Sequence, residues 1–144
     1  MARLRYLADT SVFARLAKPS VLGAFAPLAA GGQIALCSAV AFELGFSSRS
    51  PADYTELTDR LSAFDSLPTN EADHRRGVYV QAALAARSQH RALSLVDALV
   101  AAVAEAHDLT VLHYDADYEL IADVTGQPQE WIVPRGTADS HRVS

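Results

Sequence analysis

The segments LSLVDALVAAVAEA (residues 93–106) and TVLHYDADY (residues 110–118) decide the fold of this chain. The first segment is apolar on nearly every side, so it predicts a buried helix that Ser94 opens as a cap. The second segment begins as a short buried strand and ends in carboxylates. A buried helix that leads into a buried strand is typical of a parallel β-sheet with helices on both faces.

The same alternation of strand and helix extends from these segments towards both ends of the sequence. Short apolar runs predict strands, while cap residues, prolines and glycines mark the boundaries of helices. The predicted strands are Leu4–Ala8, Ile34–Cys37, a short edge strand at Asp65–Pro68, Thr110–His113 and Trp131–Val133. Helices are predicted over residues 9–17, 20–30, 38–46, from residue 50 onwards, and over 70–89, 94–106 and 115–124.

The composition fits one folded domain. Half of the 144 residues are hydrophobic and a fifth are charged, which is enough apolar material for a proper core. We expect a single domain over residues 1–134 and a polar, frayed tail over residues 135–144. The sequence shows no signal peptide and no stretch long enough to span a bilayer, and its one cysteine excludes an internal disulfide. We therefore expect a soluble, cytoplasmic protein without a membrane partner.

The net charge of −5 argues against a generic nucleic-acid binder. Proteins that bind nucleic acids through phosphate contacts are usually basic. A chain of this charge that acts on RNA would have to gain positive charge from bound metal ions.

Three carboxylates stand alone in apolar surroundings, and a fourth follows a strand. Asp9 comes after the first predicted strand, Glu43 lies in the third predicted helix, and Asp97 lies in the buried helix quoted above. Isolated carboxylates in apolar segments are costly unless something pairs with them. Few basic residues lie nearby in the sequence, whereas one divalent cation would pair with all of these groups. Asp115 follows the predicted strand over residues 110–113, and parallel sheets bind ligands at such strand ends.

Each of these residues also has a purely structural interpretation. Asp9 and Asp115 fit plain helix N-caps. Asp97 stands three residues after Ser94, which is the spacing of a capping box. Glu43 could reach solvent or a surface arginine. Each structural role is adequate alone, but four carboxylates on one alternating α/β frame favour a shared metal site.

Together, these segments resemble the PIN domain and, more narrowly, the VapC toxins of bacterial toxin–antitoxin pairs. The resemblance rests on LADTS (residues 7–11), the apolar helix with Glu43, SLVDALVA (residues 94–101) and LHYDADY (residues 112–118), and it covers residues 4–134. It implies a three-layer α/β/α sandwich with a five-stranded parallel sheet, and a Mg²⁺- or Mn²⁺-dependent endoribonuclease. It also implies an RNA substrate, an inhibitory antitoxin and a homodimer.

The resemblance assigns the catalytic set to Asp9, Glu43, Asp97 and Asp115. The metal would be held by Asp9, Asp97 and Asp115, with Asp117 close by, and would activate water and polarise the scissile phosphate. Glu43 would orient that water or share a second metal.

Neighbouring residues are expected to play smaller parts. Thr10 and Ser11 would support the site, although turn and cap roles explain both more simply. His113 lies in an apolar strand, which favours packing over general-base catalysis. Tyr118 stands where the family more often has Phe, and we expect no catalytic consequence. The spacing of Arg75, Arg76, Arg87 and Arg91 does not place them on one helix face, which indicates a solvated surface rather than a phosphate site.

Other classes of protein are less consistent with the sequence. A receiver-type signalling domain needs a lysine near its last strand, and the only lysine here is Lys18. A phosphohydrolase with an aspartyl nucleophile needs a second aspartate two residues after Asp9, where Ser11 stands. A PIN-like module that only binds RNA or protein would not need the complete acidic set. A DNA flap nuclease stays open as an alternative, although this chain is short for that group.

Overall fold

A fully parallel, five-stranded β-sheet forms the centre of the protein. The computed structural model describes residues 3–139, so residues 1–2 of the predicted domain and 140–144 of the predicted tail lie outside the described residues. The strands are β1 (Tyr6–Ala8), β2 (Ile34–Cys37), β3 (Asp65–Leu67), β4 (Thr110–His113) and β5 (Gln129–Trp131). They lie in the order β3-β2-β1-β4-β5, and each neighbouring pair is parallel.

Helices cover both faces of this sheet. They are α1 (Thr10–Phe13), α2 (Pro19–Ala30), α3 (Ser38–Phe46), α4 (Pro51–Leu61), α5 (Glu71–Ala85), α6 (Leu95–Ala106) and α7 (Asp117–Thr125), with a short 3-10 turn at His90–Ala92. No helix within residues 3–139 has the length and apolar character needed to cross a membrane.

Two separate apolar cores show that the helices form two layers. Successive residues of a strand point to opposite faces of the sheet. Leu7 and Val111 accordingly pack with α3, α5, α6 and α7, whereas Tyr6, Ala8 and Leu112 pack with α1 and α2. The predicted three-layer α/β/α sandwich is confirmed.

The order of the strands reverses between β1 and β4. The chain winds from β1 outwards to β2 and β3 on one side, while β4 and β5 lie on the other side. Such a switch point opens a crevice at the carboxyl ends of the strands, where α/β sheets bind ligands. Asp9 follows β1 and donates its backbone N–H to the carbonyl of Leu112 in β4 at 2.9 Å, which anchors it at this point. A receiver domain has the order 2-1-3-4-5, so the sheet excludes that alternative.

The last strand lies two residues earlier than predicted. Gln129–Trp131, rather than Trp131–Val133, pairs with β4, with Val111 opposite Gln129 and His113 opposite Trp131. The prediction followed the apolar residues, whereas the position of this edge strand is set by its hydrogen-bond register with β4.

Three helices differ from the prediction by two or more residues at one end. The helix α1 ends at Phe13 instead of residue 17. The helix α5 ends before residue 89 because Ser88 adopts a φ of 58°, in the left-handed region. The helix α7 begins at Asp117 instead of Asp115; its N-cap residue is Ala116, and the Asp115 carboxylate accepts the backbone N–H of Asp117 at 2.9 Å.

The first residues of the predicted tail are held against the domain. The Tyr114 hydroxyl accepts the backbone N–H groups of Gly136 and Ala138 at 2.8 Å each, and it donates to Asp139 Oδ1 at 2.7 Å. Ala138 is only 1% exposed and belongs to the core on the α1–α2 face. The hydrogen bonds to Tyr114 and the burial of Ala138 hold this segment against the domain instead of leaving it frayed, although residues 135–137 and 139 are exposed.

Candidate active site

Three of the predicted site residues meet at the switch point of the sheet. Asp9, Asp97 and Asp115 each place a carboxylate oxygen within 4.8 Å of the others. Asp9 follows β1, Asp115 lies two residues beyond β4, and Asp97 lies in the first turn of α6. Asp9 is 2% exposed and Asp97 is 7% exposed, while Asp115 is half-buried. We call these three residues the acidic cluster.

Neutral hydrogen-bond donors fix the orientation of Asp9. Its Oδ2 accepts the backbone N–H of Ser11 at 3.1 Å and the Ser11 hydroxyl at 2.7 Å. The Ser11 oxygen in turn accepts the backbone N–H of Tyr114 at 2.8 Å, so this hydroxyl connects the loops after β1 and β4. The neighbouring Thr10 hydroxyl is buried and has no hydrogen-bond partner within residues 3–139.

Asp97 is not engaged as a complete capping box. The Ser94 hydroxyl accepts the backbone N–H of Asp97 at 3.1 Å, so half of the motif is present. The equivalent pair on α5 has both halves, because Asp73 also accepts the backbone N–H of Asn70 at 3.0 Å. Within the described residues no such return bond reaches Asp97, which leaves its carboxyl facing Asp9 and Asp115.

Burial and neighbouring carboxylates raise the pKa of Asp97 in the acidic cluster and the pKa of Asp117 beside it. Burial, followed by the charges of Asp9, Asp115 and Asp117, raises the pKa of Asp97 from 3.8 to about 8. Burial and the charge of Asp115 also raise the pKa of Asp117, and a hydrogen bond with the Asp97 carboxyl partly offsets that rise. Without a cation, Asp97 therefore retains a proton at neutral pH.

His113 positions Asp115 instead of titrating in the site. Its Nδ1 accepts the backbone N–H of Asp115 at 3.0 Å, so the ring is neutral with its proton on Nε2, which donates to Gln129 Oε1. Burial lowers the pKa of His113, and its ring packs against Tyr118 and Trp131. The structure thus gives His113 a packing and positioning role.

Tyr118 is a site residue that the sequence analysis missed. Its fully buried hydroxyl donates to Asp9 Oδ1 at 2.8 Å and lies 3.3 Å from Asp97 Oδ1. Burial raises the pKa of Tyr118 well above its ordinary value, so the group remains a donor at neutral pH. A Tyr where the family more often has Phe, one helical turn after Asp115, was the available signal. We expected no catalytic consequence from it, and the structure shows that the hydroxyl contacts two members of the acidic cluster.

Two predicted acidic residues lie outside the acidic cluster. Glu43 lies on α3 and is half-buried, and its oxygens are not among those within 4.8 Å of one another. Asp117 is half-buried at the start of α7, with its backbone N–H on Asp115. Of the four arginines considered on and after α5, Arg76 pairs with Glu105, and Arg75, Arg87 and Arg91 are exposed.

The charges of the acidic cluster fit a divalent cation. No basic side chain within residues 3–139 forms an ion pair with any of its members; the ion pairs there join Arg60 to Glu56, Arg76 to Glu105 and Arg135 to Glu119. Buried carboxylates without a positive partner are costly, and oxygen ligands of this kind are what hard dications prefer.

The sequence is similar to proteins of a known family. The family model of the PIN domain matches residues 6–124. The chain is 49% identical over 136 residues to Ribonuclease VapC51 of Mycobacterium tuberculosis, covering 94% of this chain and 98% of that protein. It is 37% identical over 134 residues to Ribonuclease VapC18 of the same species, covering 92% and 98%.

Solved structures share the fold. The crystal structure of VapBC2 from Rickettsia felis bound to a promoter DNA fragment matches with a TM-score of 0.71 at 18% identity, covering 89% of this chain and 98% of that one. DNA-bound VapBC from Salmonella typhimurium matches with a TM-score of 0.71 at 16% identity, covering 90% and 99%.

The raised pKa of Asp97 predicts an unusual dependence of stability on pH. A carboxyl whose pKa is higher folded than unfolded stabilises the fold below pH 4, and this contribution is lost as the pH rises towards about 8. The loss reaches about 1.4 kcal/mol per pH unit for one group. Asp97→Asn cannot lose it, so without metal the variant should melt at least as high as the wild type, and the difference should grow from pH 5 to pH 8. Mg²⁺ should raise the melting temperature of the wild type more than that of the variant.

The control for this comparison is Asp73→Asn, because Asp73 has the same helix position and is also 7% exposed, but lies in a closed capping box. It should melt slightly lower at every pH and respond to Mg²⁺ as the wild type does. If Asp97→Asn behaved like this control, the result would show that Asp97 only stabilises the N-terminus of its helix and does not hold a metal ion.

Tyr118→Phe should destabilise the metal-free protein. The substitution removes the donor from Asp9 Oδ1 in a buried place, a loss of about 1–3 kcal/mol. Mg²⁺ should then raise the melting temperature of Tyr118→Phe more than that of the wild type, since a cation supplies the partner that Asp9 has lost. Chemical denaturation with and without Mg²⁺ measures both effects, and Tyr54→Phe, at an exposed ring, is the control. Equal stability and equal gains from Mg²⁺ would contradict the role of the hydroxyl.

Proposed function

We propose that this chain, which belongs to the PIN domain family, is a metal-dependent endoribonuclease and the toxin of a VapBC-type toxin–antitoxin pair. The observation that carries the proposal is the acidic cluster, two buried carboxylates and one half-buried carboxylate at the switch point, with which no basic side chain within residues 3–139 forms an ion pair. Close similarity to VapC ribonucleases over nearly the whole chain supports the choice of RNA as substrate. We place this activity in the cytoplasm, where RNA and a protein inhibitor would both be present.

Asp9, Asp97 and Asp115 would hold the metal ion, with Asp117 beside them. Mg²⁺ or Mn²⁺ bound there supplies Lewis-acid activation of water and phosphate. The chain's own residues prepare for it: Ser11 orients Asp9, and Asp97 would release its retained proton to water if a cation were bound.

Two further residues have proposed roles at the edge of this site. Glu43, half-buried on α3, would orient the attacking water or contribute to a second metal. The unpartnered Thr10 hydroxyl would contact a phosphate oxygen or a water of the metal. An RNA-binding module without catalysis would not need three carboxylates gathered at one place, two of them buried.

The surface of α3 has the apolar character of a protein-binding surface. Phe42 and Phe46 are 80% and 87% exposed, which is unusual for large apolar side chains and typical of a surface that another protein covers. The solved structures with this fold include DNA-bound VapBC2 from Rickettsia felis and DNA-bound VapBC from Salmonella typhimurium. We propose a cognate antitoxin and a second copy of this chain as the partners.

Purified protein should cleave RNA in Mg²⁺ or Mn²⁺ and stop when a chelator is added, because a phosphodiester cannot approach the acidic cluster without a cation. Asp115→Asn should slow cleavage at least about 100-fold, which corresponds to roughly 2.7 kcal/mol of barrier. Asp117→Asn should cost less than about tenfold, since Asp117 lies outside the acidic cluster. Gel analysis of RNA fragments at several metal concentrations measures all three effects.

Asp123→Asn, at an exposed position on the same helix α7, is the control and should cleave normally. Full activity after thorough chelation would contradict the metal-dependent mechanism. A larger loss for Asp117→Asn than for Asp115→Asn would reverse their assigned roles.

Expression of the chain alone should arrest bacterial growth, and co-expression of its cognate antitoxin should relieve the arrest. Asp97→Asn should accumulate to the same level without arresting growth, because the arrest depends on cleavage. Colony counts after induction, with protein level checked in each culture, measure the effect. Normal growth despite abundant wild-type protein would sink the toxin assignment and leave the nuclease assignment to the cleavage assay.

A further inference from the structure

An open cleft of about 350 Å³ adjoins the acidic cluster on the side of β5. Its lining includes Arg15, Tyr114, Asp115, Trp131, Arg135 and Asp139. Asp115 therefore belongs both to the acidic cluster and to the wall of this cleft. Whatever occupies the cleft lies beside the place where the metal would act. We call it the β5 cleft.

Arg15 brings a fixed positive charge to the β5 cleft. Its Nε donates to the carbonyl of Ala138 at 2.8 Å, and its Nη1 donates to the carbonyl of Ser11 at 2.9 Å. The guanidinium also lies over the ring of Tyr114, 4.6 Å from the ring centre. No carboxylate within residues 3–139 forms an ion pair with Arg15, so neutral groups hold its charge in place without cancelling it.

Trp131 and Arg135 form a second part of the cleft lining. Arg135 lies over the indole of Trp131, 5.6 Å from the ring centre, and the indole packs edge-on to Tyr114. The partner of Arg135 is Glu119 at 3.3 Å, and both side chains are largely exposed, so this ion pair is weak. Aromatic rings and guanidinium planes of this kind stack on unpaired bases.

Arg135 and Asp139 of the cleft lining belong to the segment that the sequence alone placed in a frayed tail over residues 135–144. Hydrogen bonds from Gly136 and Ala138 to the Tyr114 hydroxyl fix this segment. The cleft is therefore formed before any ligand arrives, which reduces the entropy lost on binding.

We propose that the β5 cleft binds the RNA nucleotide adjacent to the scissile phosphate. Arg15 and Arg135 contact the phosphate of that nucleotide, and its base stacks on the surface made by Trp131 and Arg135. The site rests on the proposed ribonuclease function, because its position beside Asp115 matters only if a phosphodiester is cut there.

Three observations favour a single-stranded nucleotide as the occupant. The two arginines are the kind of cation that phosphate binding requires in a chain of net charge −5. The ring and guanidinium surface suits a base whose face is free, as in single strands. A cleft volume of about 350 Å³ falls in the range of small-ligand sites.

Trp131 is the only tryptophan of the chain, so its fluorescence reports directly on the cleft. Pentauridylate and pentaadenylate should be titrated into the wild type at low salt, with chelator and with Mg²⁺. We expect quenching of Trp131 emission with both nucleotides. Arg135→Gln should weaken binding about three- to tenfold and reduce the slope of log affinity against log salt by about one.

The matched control is Arg60→Gln, which removes the same charge from an exposed ion pair on α4, away from the cleft. It should bind as the wild type does. In the cleavage assay, the loss in Arg135→Gln should appear in KM rather than in kcat, since Arg135 touches a neighbouring nucleotide and not the metal. Arg15→Gln should weaken nucleotide binding more than Arg135→Gln does. Circular dichroism checks whether Arg15→Gln folds, and if Arg15→Gln misfolds, Arg135→Gln alone tests the proposal.

The outcomes separate the cleft from the enzyme. If the wild type cleaves RNA but the nucleotides leave Trp131 emission unchanged, or Arg135→Gln matches Arg60→Gln, the cleft proposal is overturned while the ribonuclease stands. If the nucleotides quench Trp131 through Arg135 but no metal supports cleavage, the nucleotide site stands and the proposed reaction falls.

Discussion

Repulsion among three carboxylates that water does not fully solvate governs how the site is built. Asp9 and Asp97 are buried and Asp115 is half-buried, and no basic side chain in the described part of the chain forms an ion pair with them. The hydroxyls of Ser11 and Tyr118 and a retained proton lower the energy of this arrangement. These neutral donors stabilise the carboxylates without cancelling their charge. A lysine or arginine in their place would stabilise the fold more and would occupy the position that a cation needs.

Burial of the apolar layers on both sides of the sheet offsets the unfavourable free energy of the acidic cluster. The helix α6 is buried from Asp97 to Ala104, so its first turn cannot move away from the sheet. Small residues make this possible: a Cβ added at Gly77 on α5 would lie 3.2 Å from the Cβ of Ala98, which is the mark of two helices in close contact. The small alanine side chains of α6 thus allow close packing, which fixes the position of Asp97 beside the sheet.

Local signals in the sequence were sufficient for the architecture and for the members of the acidic cluster, but not for features that depend on distant partners. Carboxylates at strand ends and in a buried helix are visible as patterns, and the parallel topology brings them together. The register of β5 depends on β4, and the role of Tyr118 depends on a hydroxyl meeting Asp9 across 109 residues. The β5 cleft needs Arg15 to meet a segment 123 residues away. No local pattern reports contacts of this range.

The half-closed capping box at Ser94 and Asp97 has an evolutionary consequence. An aspartate in the first turn of a helix is favoured by the helix itself, whatever else it does. Asp73 occupies the same helix position and has a structural role alone, because its carboxylate accepts the backbone N–H of the cap residue Asn70. Both helices carry an aspartate at this position, and the two aspartates differ in whether the carboxylate accepts the backbone N–H of the cap residue, Asn70 or Ser94. A lineage with this fold can therefore acquire or abandon a ligand without an intermediate that fails to fold, because helix stability preserves the aspartate while its neighbours change.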